Sequence, residues 1–301
     1  MTRTGSARYW ELTVGIPEDA SEGLTNFVWE LGALGVVEEE PAGEKPRLRA
    51  FFAETADTAI LSTRVDAYLA ALDALGFRGG RPSRMAPIAD EDWAGAWRAH
   101  FAPFALGERF LISPPWESPR AGGREILTIE PGRAFGTGQH GTTAGCLLLL
   151  EALVGVSPPP RALDLGTGSG ILAIAAARLG VGDVQAIDSD PDAIASATAN
   201  VERNALAGRV RCVIADAATL VLPPFPLVLA NLLAAAHRAL AARYAALVAP
   251  GGLLVLGGLL DGEADAVAAT VATHGFAPHA TRSVDGWTSL ACRHAPLHDR
   301  A

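Results

Sequence analysis

A glycine-rich turn offers the clearest chemistry in this sequence. Leu163-Asp164-Leu165-Gly166-Thr167-Gly168-Ser169-Gly170 closes an apolar strand pattern and opens a helical one. Such glycines let the chain take φ > 0 in a tight turn, and let a ligand approach backbone where no Cβ intervenes. Asp188 lies about 20 residues beyond the first glycine, at the end of the next strand pattern, where a carboxylate can accept both hydroxyls of a ribose. Two cofactor classes fit that outline. A dinucleotide fingerprint reads G-x-G-x-x-G, with the pyrophosphate on the helix N-terminus. Here the loop is G-x-G-x-G, Ile171 stands where that third glycine would fall, and Asp164 lies two residues before Gly166. A carboxylate there repels a pyrophosphate and suits the ammonium of a methionine moiety. The turn therefore favours S-adenosylmethionine, with Asp164, Gly166, Gly168 and Asp188 as candidate contacts. Asp216, at the end of the third core strand, is placed to accept from an adenine amino group. The plain reading of Asp164 and of Asp216 is a strand-end or capping carboxylate, and it weakens when the set is taken together.

Two other segments carry polar groups to the same edge. Pro131–Thr143 is glycine-rich around one aromatic, Phe135, and lies between a strand and a helix. Its functional reading is a lid, with Phe135 excluding water and a threonine hydroxyl on the ligand. Its plain reading is a helix start capped by Thr142 or Thr143. Asn231 follows the apolar run Val228-Leu229-Ala230, at the carboxyl edge where open α/β sheets bind ligands. It either caps the next helix or holds an amine, its side-chain oxygen accepting N–H bonds and aiming the nitrogen lone pair at a methyl group. His140 is a candidate proton acceptor or an ordinary loop histidine. The other six histidines are scattered, so no metal site is expected.

The elements that must position these residues follow from periodicity. Strand patterns at Arg8–Ile16, Gly35–Glu39, Leu48–Ala53 and Met85–Ile88, with helices after Pro17 and over Thr58–Leu75, give a β-α-β-β-α-β order of ferredoxin-like type. Trp93, Trp97 and Phe101 recur at i, i+4, i+8 on a connecting helix, as a docking stripe or an aromatic wall facing a ligand. From Ile126 onward strands and helices alternate: Ile126–Glu130, Ala162–Leu165, Val184–Asp188, Val210–Ala215, Leu227–Ala230 and Leu253–Leu256, then a hairpin over Ala280–Arg293 around Asp285-Gly286. Apolar strands without alternation read as a parallel sheet covered on both faces. The expected architecture is α/β, a Rossmann-like doubly wound sheet, with a small N-terminal α+β ferredoxin-like domain. The expected domains are residues 1–89, a connecting segment 90–125, and a cofactor domain 126–297.

Composition bounds the partners. The chain has 301 residues, which favours two domains. It is 50% hydrophobic and 19% charged, enough for a sizeable core. With 33 acidic against 24 basic residues it has no basic blanket for nonspecific nucleic-acid binding. Cys146, Cys212 and Cys292 are far apart and never in C-x-x-C spacing, which excludes a disulfide framework and fits a reducing cytoplasm. Residues Met1–Leu12 lack a signal-peptide core, and the longest uncharged stretch, Tyr244–Leu260, is short for a membrane span and broken by Pro250, Gly251 and Gly252. A cytoplasmic protein without a membrane partner is expected.

The ordered set Pro131–Thr143, Asp164–Gly170, Ala186-Ile187-Asp188 and Ala230-Asn231-Leu232-Leu233 resembles the ribosomal protein L-eleven (L11) methyltransferase family, PrmA. Trp93, Trp97, Phe101-Ala102-Pro103 and Ile112–Trp116 are similar to that family's linker. The resemblance implies a class I S-adenosylmethionine-dependent protein methyltransferase whose N-terminal domain recognises ribosomal protein L11. It implies trimethylation of the substrate's α-amine and of lysine ε-amines. It makes Thr143, Gly166, Asp188 and Asn231 cofactor contacts and Phe135 part of the lid. A monomer is expected. The family's Thr-His-Pro-Thr-Thr here reads Gln139-His140-Gly141-Thr142-Thr143, which predicts a looser lid, and Thr167 replaces the cysteine of Gly-Cys-Gly-Ser-Gly. Four rivals remain: a lysine methyltransferase for another protein, such as an electron-transfer flavoprotein subunit; a nucleic-acid amino methyltransferase, which would show Asn-Pro-Pro-aromatic at Asn231; a nicotinamide dehydrogenase; and a non-catalytic S-adenosylmethionine-binding assembly factor.

Overall fold

The computed structural model describes residues 8–15, 21–39, 47–74, 76–77, 81–89, 101–131, 138, 140–154 and 157–296. Phe135, Trp93 and Trp97 lie outside the described residues. The chain divides into two compact units, Met1–Ala102 and Pro103–Ala301.

In the first unit, β1 (Arg8–Gly15), α1 (Ser21–Glu30), β2 (Gly35–Glu39), β3 (Arg47–Ala53), α2 (Thr58–Ala74) and β4 (Arg81–Ala89) follow one another. The four strands form one antiparallel sheet in the order β2-β3-β1-β4. This is the ferredoxin-like arrangement. Alternate residues Leu12 and Val14 of β1 and Leu48, Ala50 and Phe52 of β3 pack on Leu24 and Val28 of α1 and Leu61, Val65 and Leu69 of α2. Strand β4 is longer than the Met85–Ile88 pattern because its pairing with β1 runs from Ala89 to Arg81. Pro82 and Pro87 obscure it in the sequence. An edge strand tolerates them, since one side of its backbone needs no partner.

The second unit holds β5 (Phe104–Leu106), β6 (Phe110–Ser113), β7 (Glu125–Thr128), α3 (Gly141–Val154), β8 (Arg161–Leu165), α4 (Ile171–Arg178), β9 (Asp183–Asp188), α5 (Pro191–Arg203), β10 (Val210–Ile214), β11 (Phe225–Asn231), α6 (Ala234–Leu247), β12 (Val248–Leu260), α7 (Ala264–Ala272), β13 (Phe276–Val284) and β14 (Trp287–His294). Its seven-stranded sheet has the order β10-β9-β8-β11-β12-β14-β13. The first five are parallel, and the β13–β14 hairpin is antiparallel, so the sheet is mixed rather than wholly parallel. The hairpin turns at Asp285 (φ 50) and Gly286 (φ 80), as its Asp-Gly pair predicts.

Strand order reverses between β8 and β11, which opens a crevice at their carboxyl ends. One face of the sheet packs on α3, α4 and Val201 of α5, the other on α6 and α7. Two differences from the sequence expectation stand out. Strand β7, expected at Ile126–Glu130 among the alternating strands of the cofactor domain, pairs with β6 in a separate three-stranded sheet, β5-β6-β7. Residues 103–125, expected as a connecting segment, belong to the second unit, where Phe110 and Ile112 share a core with Leu127, Ile129 and Leu147. Short strands of three or four residues give too little periodicity to be seen in sequence.

Candidate functional site

The β8–α4 turn is built as its glycines require. Gly166 (φ 67), Gly168 (φ 55) and Gly170 (φ 84) all take the left-handed conformation that L side chains avoid. A Cβ on Gly166 would also strike the Leu232 side chain, so the turn lies directly against the residue after Asn231. The Gly168 N–H donates to Asp188 Oδ2 (3.0 Å), and the Asp190 N–H donates to Oδ1 (3.0 Å). Asp188, at the end of β9, is thereby tied to the glycine turn while remaining partly exposed.

Asp164 lies beneath this turn, 1% exposed. Its Oδ2 accepts the Thr167 hydroxyl at 2.6 Å. Its Oδ1 is buried without a hydrogen-bond partner among the described residues. Burial pushes the carboxyl up to about 7, with the Thr167 hydroxyl and the Ala173 backbone N–H opposing and the Asp188 charge adding. Asp216 is exposed, and its Oδ1 accepts the Ala218 N–H (2.8 Å) in a local turn. The preceding residue is joined to the cluster, because the Ala215 N–H donates to the Asp188 carbonyl (2.9 Å). The Asp216 side chain itself makes no hydrogen bond to the other candidate residues.

Across the crevice, Asn231 ends β11. Its Nδ2 donates to Thr142 Oγ1 and Thr143 Oγ1, both at 3.3 Å. Neither threonine caps α3. His140 precedes the helix, its carbonyl accepting the Ala144 N–H (3.0 Å) and its Nδ1 accepting the Thr142 N–H (3.4 Å). Because Nδ1 accepts, the Thr142 hydroxyl donates to it (2.9 Å) and receives the Asn231 amide N–H. That chain fixes the orientation of the Asn231 amide. Its Oδ1 is then left buried and without a hydrogen-bond partner among the described residues. The threonine hydroxyls expected on a ligand also accept from Asn231, and His140 Nδ1 is engaged at the helix start.

Gly141 is explained by packing. A Cβ there would lie 2.5 Å from the Val284 carbonyl oxygen, and one at Gly145 would lie 2.5 Å from Ser289 Oγ. The two glycines let α3 lie close on the β13–β14 hairpin, and the segment expected to be looser, residues 132–137 and 139, lies outside the described residues.

Sequence reasoning missed several supports. Asn200 of α5 and Asn204, which caps its C-terminus, are buried. Asn200 accepts the Glu130 N–H (3.0 Å) and donates to the Ser169 carbonyl (2.9 Å). Asn204 accepts the Thr128 N–H (3.0 Å) and donates to the Thr128 carbonyl (2.7 Å). They join the strand leading into the glycine-rich segment to the glycine turn. Their i, i+4 spacing was the available signal. His237 and Tyr244 were likewise missed, although both fall on the apolar stripe of α6.

The residues fit a ligand with an adenosine and an amino-acid end. The turn presents Cβ-free backbone, Asp188 presents a carboxylate beside it, and two buried oxygens, Asp164 Oδ1 and Asn231 Oδ1, lack hydrogen-bond partners among the described residues.

Comparisons with known proteins show what the chain is similar to. The family model described as ribosomal protein L11 methyltransferase (PrmA) matches residues 8–295. A relative named ribosomal protein L11 methyltransferase in Trichlorobacter lovleyi is 36% identical, over 75% of this chain and 79% of that one. Another of that name in Symbiobacterium thermophilum is 32% identical over 94% of this chain and 98% of its own. Among solved structures, the ribosomal protein L11 methylase of Lactobacillus delbrueckii subsp. bulgaricus aligns with a TM-score of 0.59 and 26% identity, over 65% of this chain and 98% of that chain.

Proposed function

The chain belongs to the ribosomal protein L11 methyltransferase (PrmA) family, and from that premise we propose that it methylates amino groups of ribosomal protein L11 with S-adenosylmethionine. Bound S-adenosylmethionine supplies a methyl group already activated on a sulfonium. The residues of the chain then have binding and aiming to do. Gly166 and Gly168 would admit the methionine portion against bare backbone. Asp188 would receive the ribose hydroxyls, Asp216 would accept from the adenine amino group, and Asp164 would supply a buried counter-charge to the ammonium. Thr143, whose hydroxyl also holds Asn231, would contact the cofactor, and Phe135 would help to cover it.

The observation that carries the reading is the unpartnered Asn231 Oδ1 at the carboxyl edge, with its amide nitrogen tied back to Thr142 and Thr143. An oxygen so fixed accepts an N–H of the substrate amine and turns its lone pair toward the methyl group. The amine must be neutral. With ordinary pKa values of ~8 for an α-amine and ~10.4 for lysine, roughly a tenth of the former and well under a thousandth of the latter is neutral at pH 7. Desolvation at the site therefore favours the reactive form of lysine. Modification of the α-amine and of lysine ε-amines to the trimethyl state is part of the proposal. So are recognition of the substrate by the first unit, a monomeric state and a cytoplasmic location. No helix among the described residues is long and apolar enough to cross a membrane.

Incubation with tritiated S-adenosylmethionine and purified ribosomal protein L11, followed by mass spectrometry, tests this. We expect increments of up to three methyl groups on the N-terminal amine and on lysines, lost in Asn231→Ala. Binding of the cofactor without transfer would discard the substrate and send the search to other lysine-bearing proteins.

A further inference from the structure

The candidate amine acceptor stands on a short stretch of backbone that one buried histidine holds in place. Gly257 of β12 is the register partner of Asn231. Its carbonyl accepts the Leu232 N–H (3.2 Å) and also meets His237 Nε2 (2.7 Å). A carbonyl only accepts, so Nε2 carries the hydrogen. In the neutral ring Nδ1 is then an acceptor, and the Tyr244 hydroxyl donates to it at 2.8 Å. Both side chains are fully buried, and burial lowers the histidine pKa, which keeps the ring neutral. Tyr244 thereby fixes the tautomer that lets His237 hold Gly257.

The held backbone has almost no slack. A Cβ on Gly257 would lie 2.7 Å from Asn231 Oδ1 and would strike Cys146 Sγ. Gly258 has φ 78, and a Cβ there would strike the Leu232 carbonyl oxygen and lie 2.7 Å from its carbon. A shift of the Gly257 carbonyl is therefore passed on to Asn231 and Leu232 rather than absorbed.

We propose that His237, held in one tautomer by Tyr244, is a positioning residue that sets where Asn231 Oδ1 and the Leu232 peptide meet the substrate amine. The proposal rests on the amine-methylating reading of this site. It makes His237 act through Gly257, with no contact to substrate or cofactor.

The test compares the full-length protein with His237→Leu, His237→Gln and Tyr244→Phe. Three quantities are read: kcat and KM on ribosomal protein L11, the Kd for S-adenosylhomocysteine by calorimetry, and amide exchange at Leu232 by NMR. We expect His237→Leu to lower kcat per folded molecule by about 10- to 100-fold, the range that a misplacement of under 1 Å to 1 Å produces. Its Kd for S-adenosylhomocysteine stays within about twofold, and Leu232 exchanges at least about tenfold faster while β8 and β9 keep their protection. His237→Gln recovers most of the kcat, because its amide N–H can donate to Gly257. If the leucine variant does not fold, Tyr244→Phe carries the same expectation at smaller size. Wild-type kcat or unchanged Leu232 exchange in a folded His237→Leu overturns the proposal. So does a loss of kcat that glutamine leaves unrepaired. A wild-type enzyme inactive on ribosomal protein L11 would instead remove the substrate reading, and the exchange at Leu232 would still decide whether His237 positions this segment.

Discussion

At the residue scale, Asp164 joins the glycine turn to the pH dependence of the fold. The folded carboxyl titrates at about 7 and the ordinary one at 3.8, with burial as the main cause. Between those values the native state keeps a proton that the unfolded chain has lost. Stability from this group therefore falls as pH rises from about 4 to about 7, then levels off, by roughly 4 kcal/mol in all. Asp164→Asn cannot ionise. Urea unfolding at a series of pH values is expected to show this slope in the wild type and a flatter profile in the variant. Parallel profiles would mean that Asp164 is ionised in the folded protein. The aspartate and the glycines were visible in the sequence, because a short turn encodes its own geometry. That the carboxyl sits under the turn with one oxygen unpartnered was not, because burial depends on α4 and on the strands beside it.

At the element scale, α5 is a clamp. It presents a polar outer face in sequence, yet Asn200 and Asn204 point inward and pair with main-chain groups at Ser169, Glu130 and Thr128. Asn200→Ala leaves the Glu130 N–H and the Ser169 carbonyl without those partners. Losing a buried partner costs about 1–3 kcal/mol, so a destabilisation of roughly 2–4 kcal/mol is expected by chemical denaturation. Cofactor titration should show weakened binding as well, since Ser169 belongs to the glycine turn. A variant with unchanged stability and affinity would show that the turn holds itself. The same scale explains β7. Its apolar residues look like a core strand, but β6 pairs with it and Asn204, the C-cap of α5, binds its Thr128, so it does not join the large sheet.

At the scale of the whole molecule, each unit has its own apolar core, one around Leu12, Leu48 and Val65, the others around the seven-stranded sheet. The second unit also carries all the described candidate cofactor residues. A chain limited to residues 103–301 is therefore expected to fold and to keep its affinity for S-adenosylhomocysteine within about threefold, a change of under 1 kcal/mol. It is expected to lose most methylation of ribosomal protein L11, because the proposed recognition unit is gone. Calorimetry and the tritium assay on the same preparation check both halves. Full activity without the first unit would end its proposed role.

The sequence by itself determined the strand–helix order of the first unit and of the seven-stranded sheet, the glycine turn with Asp188 behind it, the Asp-Gly hairpin, and Asn231 at a sheet edge. These are local properties: periodicity, φ preferences and the residue type that follows an apolar run. Tertiary structure alone decided that His140 rather than a threonine starts α3, and that Gly141 serves close packing. It also decided that Asn231 is aimed by Thr142 and Thr143, and that His237 and Tyr244 hold the backbone beneath it. Each of those depends on residues far apart in the chain meeting in a dry interior, where an unpaired donor or acceptor is costly and the partner is chosen by the fold.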